Sequence, residues 1–171
     1  MKVYNCIPAD LDEIFRLYRL ATAYQKIVFP ANQWPTFERS MVETEIREQR
    51  IWKIEIGGEI ACVWTITFSD PQIWAHSEND AAIYIHRIAT NPVFRGKNLV
   101  AEIVAWANKY IIAHQKRFIR MDTCGYNTRL IAHYQNCGFQ FLGISKLSRT
   151  SGLPSHYHNA EVCFFEIEIK A

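Results

Sequence analysis

The 171-residue chain has the length of one domain, and its 49% hydrophobic content is enough to fill a core of that size. A net charge of +2 without any run of Lys or Arg argues against nucleic acid or an anionic membrane as the main partner. No apolar stretch reaches the roughly 20 residues that span a bilayer, and the opening MKVYNCIPADLDE lacks the apolar core of a signal peptide, so a cytoplasmic location is expected.

KVYNCI, residues 2–7, is a short strand-like run. PADLDEIFRLYRLATAYQ, residues 8–25, reads as a helix, because Leu11, Ile14, Phe15 and Tyr18 recur at helical spacing. Asp10 stands at its N-cap, and Glu13 three residues on completes an aspartate form of the capping box. The proline-punctuated VFPANQWPTF is a loop, and TFERSMVETEIREQR, residues 36–50, is a second helix with Thr36 as its candidate cap.

IWKIEI and EIACVWTITF alternate as strands around Gly57-Gly58, a two-residue turn of the type that needs positive φ. After the loop SDPQIWAHSEND, residues 69–80, AAIYIHRIAT is a strongly β-prone strand. Helix 99–115 follows, with Leu99, Val100, Ile103, Val104, Ala107, Tyr110 and Ile111 on one stripe. RFIRMDTC is a strand. NTRLIAHYQNCG is a short helix with Asn127 at its N-cap and Gly138 as the glycine past its end. FQFLGI and EVCFFEIEI are strands on either side of the polar loop 145–160. This order predicts a central mixed sheet with helices on its faces.

The five cysteines are odd in number and none has C-x-x-C spacing, which predicts reduced, mostly buried thiols. HYH at 156–158 has no Cys pair or carboxylate at ligand spacing, so no metal is expected.

Between strand 81–90 and helix 99–115 lies NPVFRGKNLV, a tight basic turn running into a helix N-terminus. The first N–H groups of a helix lack intrahelical partners and its dipole favours negative charge there, so the arrangement suits an anion. An ordinary connection whose Arg95 and Lys97 are merely solvated is the alternative. The G-x-G-x-x-G and P-loop patterns are not met by the single Gly96.

From this strand through NPVFRGKNLV to NTRLIAHYQNCGF, the chain resembles the GNAT superfamily of N-acetyltransferases, which use acetyl-coenzyme A. The familiar signature is Arg/Gln-x-x-Gly-x-Gly/Ala after an upstream Pro, then a strand, an Asn, a Tyr seven residues later and Gly-Phe. Pro92, Arg95, Gly96, Lys97, Asn127, Tyr134, Gly138 and Phe139 fall in that register. Two positions depart from it. Asn98 stands at the signature glycine, a mild change because Asn tolerates the left-handed conformation. Val100 stands at the final small position, where a branched side chain crowds the cofactor unless it points into the core.

The resemblance implies an α+β fold in one domain over residues 1–171: a mostly antiparallel sheet of about seven strands flanked by about four helices. It implies transfer of an acetyl group from acetyl-coenzyme A to the amine of a small molecule, amino acid or peptide by direct attack, in a monomer or homodimer without a metal. A degenerate member of the fold that binds coenzyme A without turnover is the alternative, motivated by Val100. The cofactor would be held by Ile88, Ala89, Thr90, Arg95, Gly96, Lys97, Asn98, Leu99, Val100, Asn127 and Tyr134, with the oxyanion donor a backbone N–H among residues 88–90.

A lysine-like amine has a pKa near ~10.4, so a base must remove a proton. His86 is the candidate base, against a half-buried histidine bonded within the sheet as its structural alternative. Tyr134 takes the family's general-acid position, against a packing role for its ring. Arg87, projecting to the opposite face of the strand, reads as a structural ion-pair residue, Asp122 as a cap or turn residue, and Cys124 as a buried thiol. Trp34, Phe37, Glu38, Tyr84, His156, Tyr157 and His158 would line the acceptor side. With few acids among them, they suit a small amine, amino acid or peptide end rather than a polycation.

Overall fold

A computed structural model of the protein describes residues 1–30, 32–75 and 80–169. The elements are β1 (Lys2–Asn5), α1 (Leu11–Val28), α2 (Arg39–Arg47), β2 (Ile51–Ile56), β3 (Glu59–Thr67) and β4 (Ala82–Thr90), followed by α3 (Leu99–Ala113), β5 (Phe118–Cys124), α4 (Thr128–Asn136), β6 (Gln140–Lys146) and β7 (Glu161–Glu168). The seven strands form one sheet in the order β1-β2-β3-β4-β5-β7-β6. Its β4–β5 pair is parallel, whereas β1–β2, β2–β3, β5–β7 and β6–β7 are antiparallel. The expected element order and the mostly antiparallel sheet are both present. Part of loop 69–80, residues 76–79, lies outside the described residues. Packing divides the chain into two compact units, residues 1–66 with 86–99, and residues 67–85 with 100–171.

In the first unit, Gly57 and Gly58 take φ of 62° and 86° and close the β2–β3 hairpin, as the turn requires. Leu11, Ile14, Leu17 and Tyr18 of α1 and Val42 and Ile46 of α2 pack with Cys6, Ile51, Ile60, Val63 and Ala89 into one core. Residues 60–66 of β3 are all buried, so this strand reads as a continuous apolar run rather than an alternating one.

Two helix starts differ from expectation. Asp10 does not cap α1: its carboxylate accepts from the Ile7 N–H at 2.8 Å and pairs with the buried Lys53 ammonium at 3.0 Å, while Glu13 binds Arg16 instead of closing a capping box. A buried lysine from β2 outcompetes local capping, because an unpaired buried charge costs more than an uncapped N–H. The second helix starts at Arg39, with Glu38 rather than Thr36 at its N-cap.

In the second unit, the β4–β5 ladder runs from Ala82↔Phe118 to Ile85↔Met121. Ile73, Trp74, Ala82, Tyr84, Tyr157 and Val162 form its core cluster. Arg120 is 2% exposed; Glu166 and Asp80 accept from its guanidinium at 2.7 and 2.5 Å, and the Trp74, Phe118 and Tyr84 rings surround it. Asn127 caps α4 through its side-chain oxygen, which accepts from the N–H groups of Arg129 and Leu130 at 3.0 and 3.1 Å. Gly138 follows that helix with φ of 103°.

Candidate functional site

The basic turn belongs to the first unit up to Leu99. Asn91 roots it: this residue is 4% exposed, its N–H donates to the Ala61 carbonyl and its side-chain amide to the Ile60 carbonyl. Its side-chain oxygen accepts from Val93 N–H and starts a single 3-10 turn over Pro92–Phe94. The next four residues, 95–98, are exposed, while Leu99 and Val100 at the start of α3 are buried.

Gly96 and Asn98 both have left-handed backbones, with φ of 82° and 53°. Alternating left-handed residues turn successive N–H groups toward one side, the concavity that backbone anion sites use. At Gly96 the conformation, not lack of room, demands glycine, because an added Cβ meets nothing within 4 Å. Asn98 holds the second left-handed position that the signature leaves to glycine. Val100 is 8% exposed, so its side chain does not stand in the exposed turn. The guanidinium of Arg95 lies over the Tyr24 ring of α1, 4.4 Å from its centroid. Two cations and two left-handed residues in an exposed turn suit an anionic group.

Upstream on β4, Ala89 is fully buried, Ile88 and Thr90 are half-buried, and the Thr90 hydroxyl meets the Cys62 thiol at 3.6 Å. His86 is half-buried; burial, then Arg87 and Arg50, push its pKa down to about 3. It is neutral at pH 7, as a base must be, but it is a weak proton acceptor. Trp34 and Phe37 pack edge-on with Tyr18 against the first unit's core, and Gln25 accepts from the Trp34 N–H at 2.8 Å. Glu38 is exposed at the start of α2.

In the second unit, Tyr134 is 8% exposed and packs edge-on against Phe165 and Phe139. Tyr84 is 1% exposed, its hydroxyl accepting from Arg120 at 3.3 Å, which makes it a core residue. His158 is exposed, and His156 is half-buried with its pKa pushed down to about 4 by burial and by His158. Tyr157 is buried and donates its hydroxyl to the Asp122 carboxylate at 2.8 Å. The Cys124 thiol is pushed up by burial, against any nucleophilic role.

Sequence reasoning missed the pairing of Asp122 with Asp70. Their carboxylate oxygens lie within 4.8 Å. Burial pushes Asp122 up to about 6 despite the Tyr157 hydrogen bond, and burial together with the Asp122 charge pushes Asp70 up to about 7. Asp70 precedes a proline in a loop, which is a turn signal and nothing more; only the fold brings it to β5 of the same unit.

The profile of the Acetyltransferase (GNAT) family matches residues 12–139. The chain is 31% identical over 74 residues to the uncharacterized N-acetyltransferase YesJ of Bacillus subtilis (strain 168), a match covering 43% of this chain and 41% of that one. It superposes on a GNAT-family acetyltransferase structure from Listeria monocytogenes 4b F2365 with a TM-score of 0.77 at 23% identity, covering 98% of this chain and 94% of that one. A Salmonella typhimurium structure described as an acetyltransferase with its cofactor acetyl-CoA superposes with a TM-score of 0.69 at 12% identity, over 100% of this chain and 95% of that one.

Proposed function

The chain belongs to the GNAT acetyltransferase family, and from that premise we propose that it is an N-acetyltransferase that moves an acetyl group from acetyl-coenzyme A to the amine of a small molecule, amino acid or peptide end. The observation that carries this reading is the exposed turn 95–98, with left-handed backbones at Gly96 and Asn98 and cationic side chains at Arg95 and Lys97. Ile88, Ala89 and Thr90 would pair with the pantetheine amides and supply the oxyanion donor. The burial of Val100 supports this reading over a binder without turnover, since its side chain stays out of the turn.

Acetyl-coenzyme A supplies the acetyl group as a thioester. The amine nitrogen attacks the carbonyl carbon, a C–N bond forms, the C–S bond breaks, and the ammonium proton leaves to a base. His86, with its pKa near 3, is poorly matched to that proton. Within the second unit, Asp70 and Asp122, pushed up to about 7 and 6, titrate in the range a base working at neutral pH uses. Tyr134 is the proposed donor to the departing thiolate.

Calorimetry with acetyl-coenzyme A on wild type and Gly96→Pro tests the turn, and thiol release across an amine panel then tests turnover. Proline deletes an N–H and imposes negative φ on a residue at 82°. Loss of a hydrogen bond to a charged group corresponds to roughly 10–100-fold weaker binding. Wild-type affinity in folded Gly96→Pro would place the diphosphate elsewhere.

A further inference from the structure

Arg87 is a left-handed residue inside a strand, with φ of 52° between half-buried neighbours of β4. Outside glycine, Asn and Asp this conformation is disfavoured, and a long side chain offers no local compensation. The compensation lies at the far end of that side chain. Its Nη2 donates to both carboxylate oxygens of Glu45, at 2.6 and 2.5 Å, and to the Thr65 hydroxyl at 3.1 Å. The guanidinium lies over the Phe37 and Tyr18 rings, at 5.1 and 5.8 Å from their centroids, and reaches the Met41 sulfur. Glu45 is 5% exposed and sits between Val42 and Ile46 on the buried stripe of α2, a place where packing calls for an apolar residue. Arg50 adds a second cation at 3.5 Å. All these groups belong to the first unit.

We propose that the Glu45–Arg87 ion pair is a clamp that imposes the left-handed turn on β4 and so aims the backbone N–H of Ile88. The peptide plane between residues 87 and 88 rotates with the backbone angles of Arg87. Relaxation of Arg87 to an extended conformation rotates that plane and turns the N–H to a different direction. Glu45 and Arg87 are positioning residues; neither needs to touch the reacting atoms. The inference rests on the proposed acetyl transfer, in which residues 88–90 carry the oxyanion donor.

The test compares the double variants E45Q/R87A and E45Q/R87G. Both remove the two charges together, and they differ only in that glycine adopts positive φ without penalty. The left-handed penalty predicts kcat roughly 5–30-fold higher in the glycine variant, with similar KM for acetyl-coenzyme A and matched melting temperatures. Equal kcat in the two would overturn the positioning role. A strong intraresidue HN–Hα Overhauser contact reports the left-handed backbone directly; it is expected at residue 87 in wild type and lost in E45Q/R87A. Its persistence there overturns the clamp whatever the activity. If E45Q/R87A does not fold, R87A and R87G are compared with Glu45 still paired to Arg50, with the same expectation. Failure of wild type to acetylate any amine instead overturns the functional reading, and the Overhauser comparison still decides the clamp.

Discussion

At the scale of single residues, Tyr134 separates packing from chemistry most cleanly. Its ring is wedged edge-on between Phe165 and Phe139, at 5.1 and 6.1 Å, so a phenyl ring fills the same space. Tyr134→Phe is therefore expected to fold and to bind acetyl-coenzyme A as wild type does. A thiol has a reference pKa near ~8.5 and a phenol near ~10, so the proton transfer is not forced and the hydroxyl helps chiefly in the transition state. Turnover is expected to fall about 10–10³-fold, at the low end for general-acid loss because water substitutes. Thiol release under conditions where chemistry limits the rate measures it, and unchanged turnover leaves Tyr134 as a packing residue.

Among the elements, α4 shows how far local signals reach. Asn127 and Gly138 bracket the helix as their residue types lead one to expect, because a cap and a left-handed C′ glycine are decided by a few neighbouring atoms. Asn127→Ala is expected to cost about 1 kcal/mol in a urea unfolding series. Asn127→Asp keeps a capping oxygen and should recover that stability; an acetyl-coenzyme A deficit confined to both variants would mark a separate cofactor contact. The β2–β3 hairpin was legible for the same reason, Gly57-Gly58 being a turn in any context. Asp10 and Glu45 were not; for Arg87 a structural ion pair was legible, and the pair with Glu45 is present, but its partner was not. Lys53 captures the Asp10 carboxylate, Arg87 captures Glu45, and both partners are remote in sequence. A helical wheel places Glu45 on the apolar stripe beside Val42 and Ile46; the cation of Arg87, remote in sequence, explains why a carboxylate stands there. The turn at Asn98 lies between these cases, since its residue type permits a left-handed backbone and the fold puts one there at φ of 53°.

For the molecule as a whole, four half-buried groups with displaced pKa values shape stability against pH. His86 and His156 have folded values near 3 and 4, below the ordinary 6.5. Between those limits the unfolded chain holds their protons and the folded chain does not, so both make stability fall as pH drops below 6.5. Asp70 and Asp122 have folded values near 7 and 6, above the ordinary 3.8. The folded chain holds their protons between those limits, so their contribution is complete below pH 3.8 and is lost as pH rises through 6 to 7. From about pH 4.5 to 6 the two histidines and the two aspartates oppose each other proton for proton, and these groups together leave stability nearly flat. Removing one partner unmasks the other. Asp70→Asn leaves the unfolded state binding one more proton than the folded state in that window, so stability should rise with pH by at most about 1.4 kcal/mol per unit. For a chain of this length that is at most about 3–6 °C per pH unit in Tm. His156→Gln should give the opposite slope. Above pH 7, Asp70→Asn should melt higher than wild type, because it no longer ionises a buried carboxyl beside Asp122. Melting curves of the three proteins from pH 4.5 to 8 check the signs, and parallel curves would mean that neither Asp70 nor His156 changes its proton uptake on folding in this range.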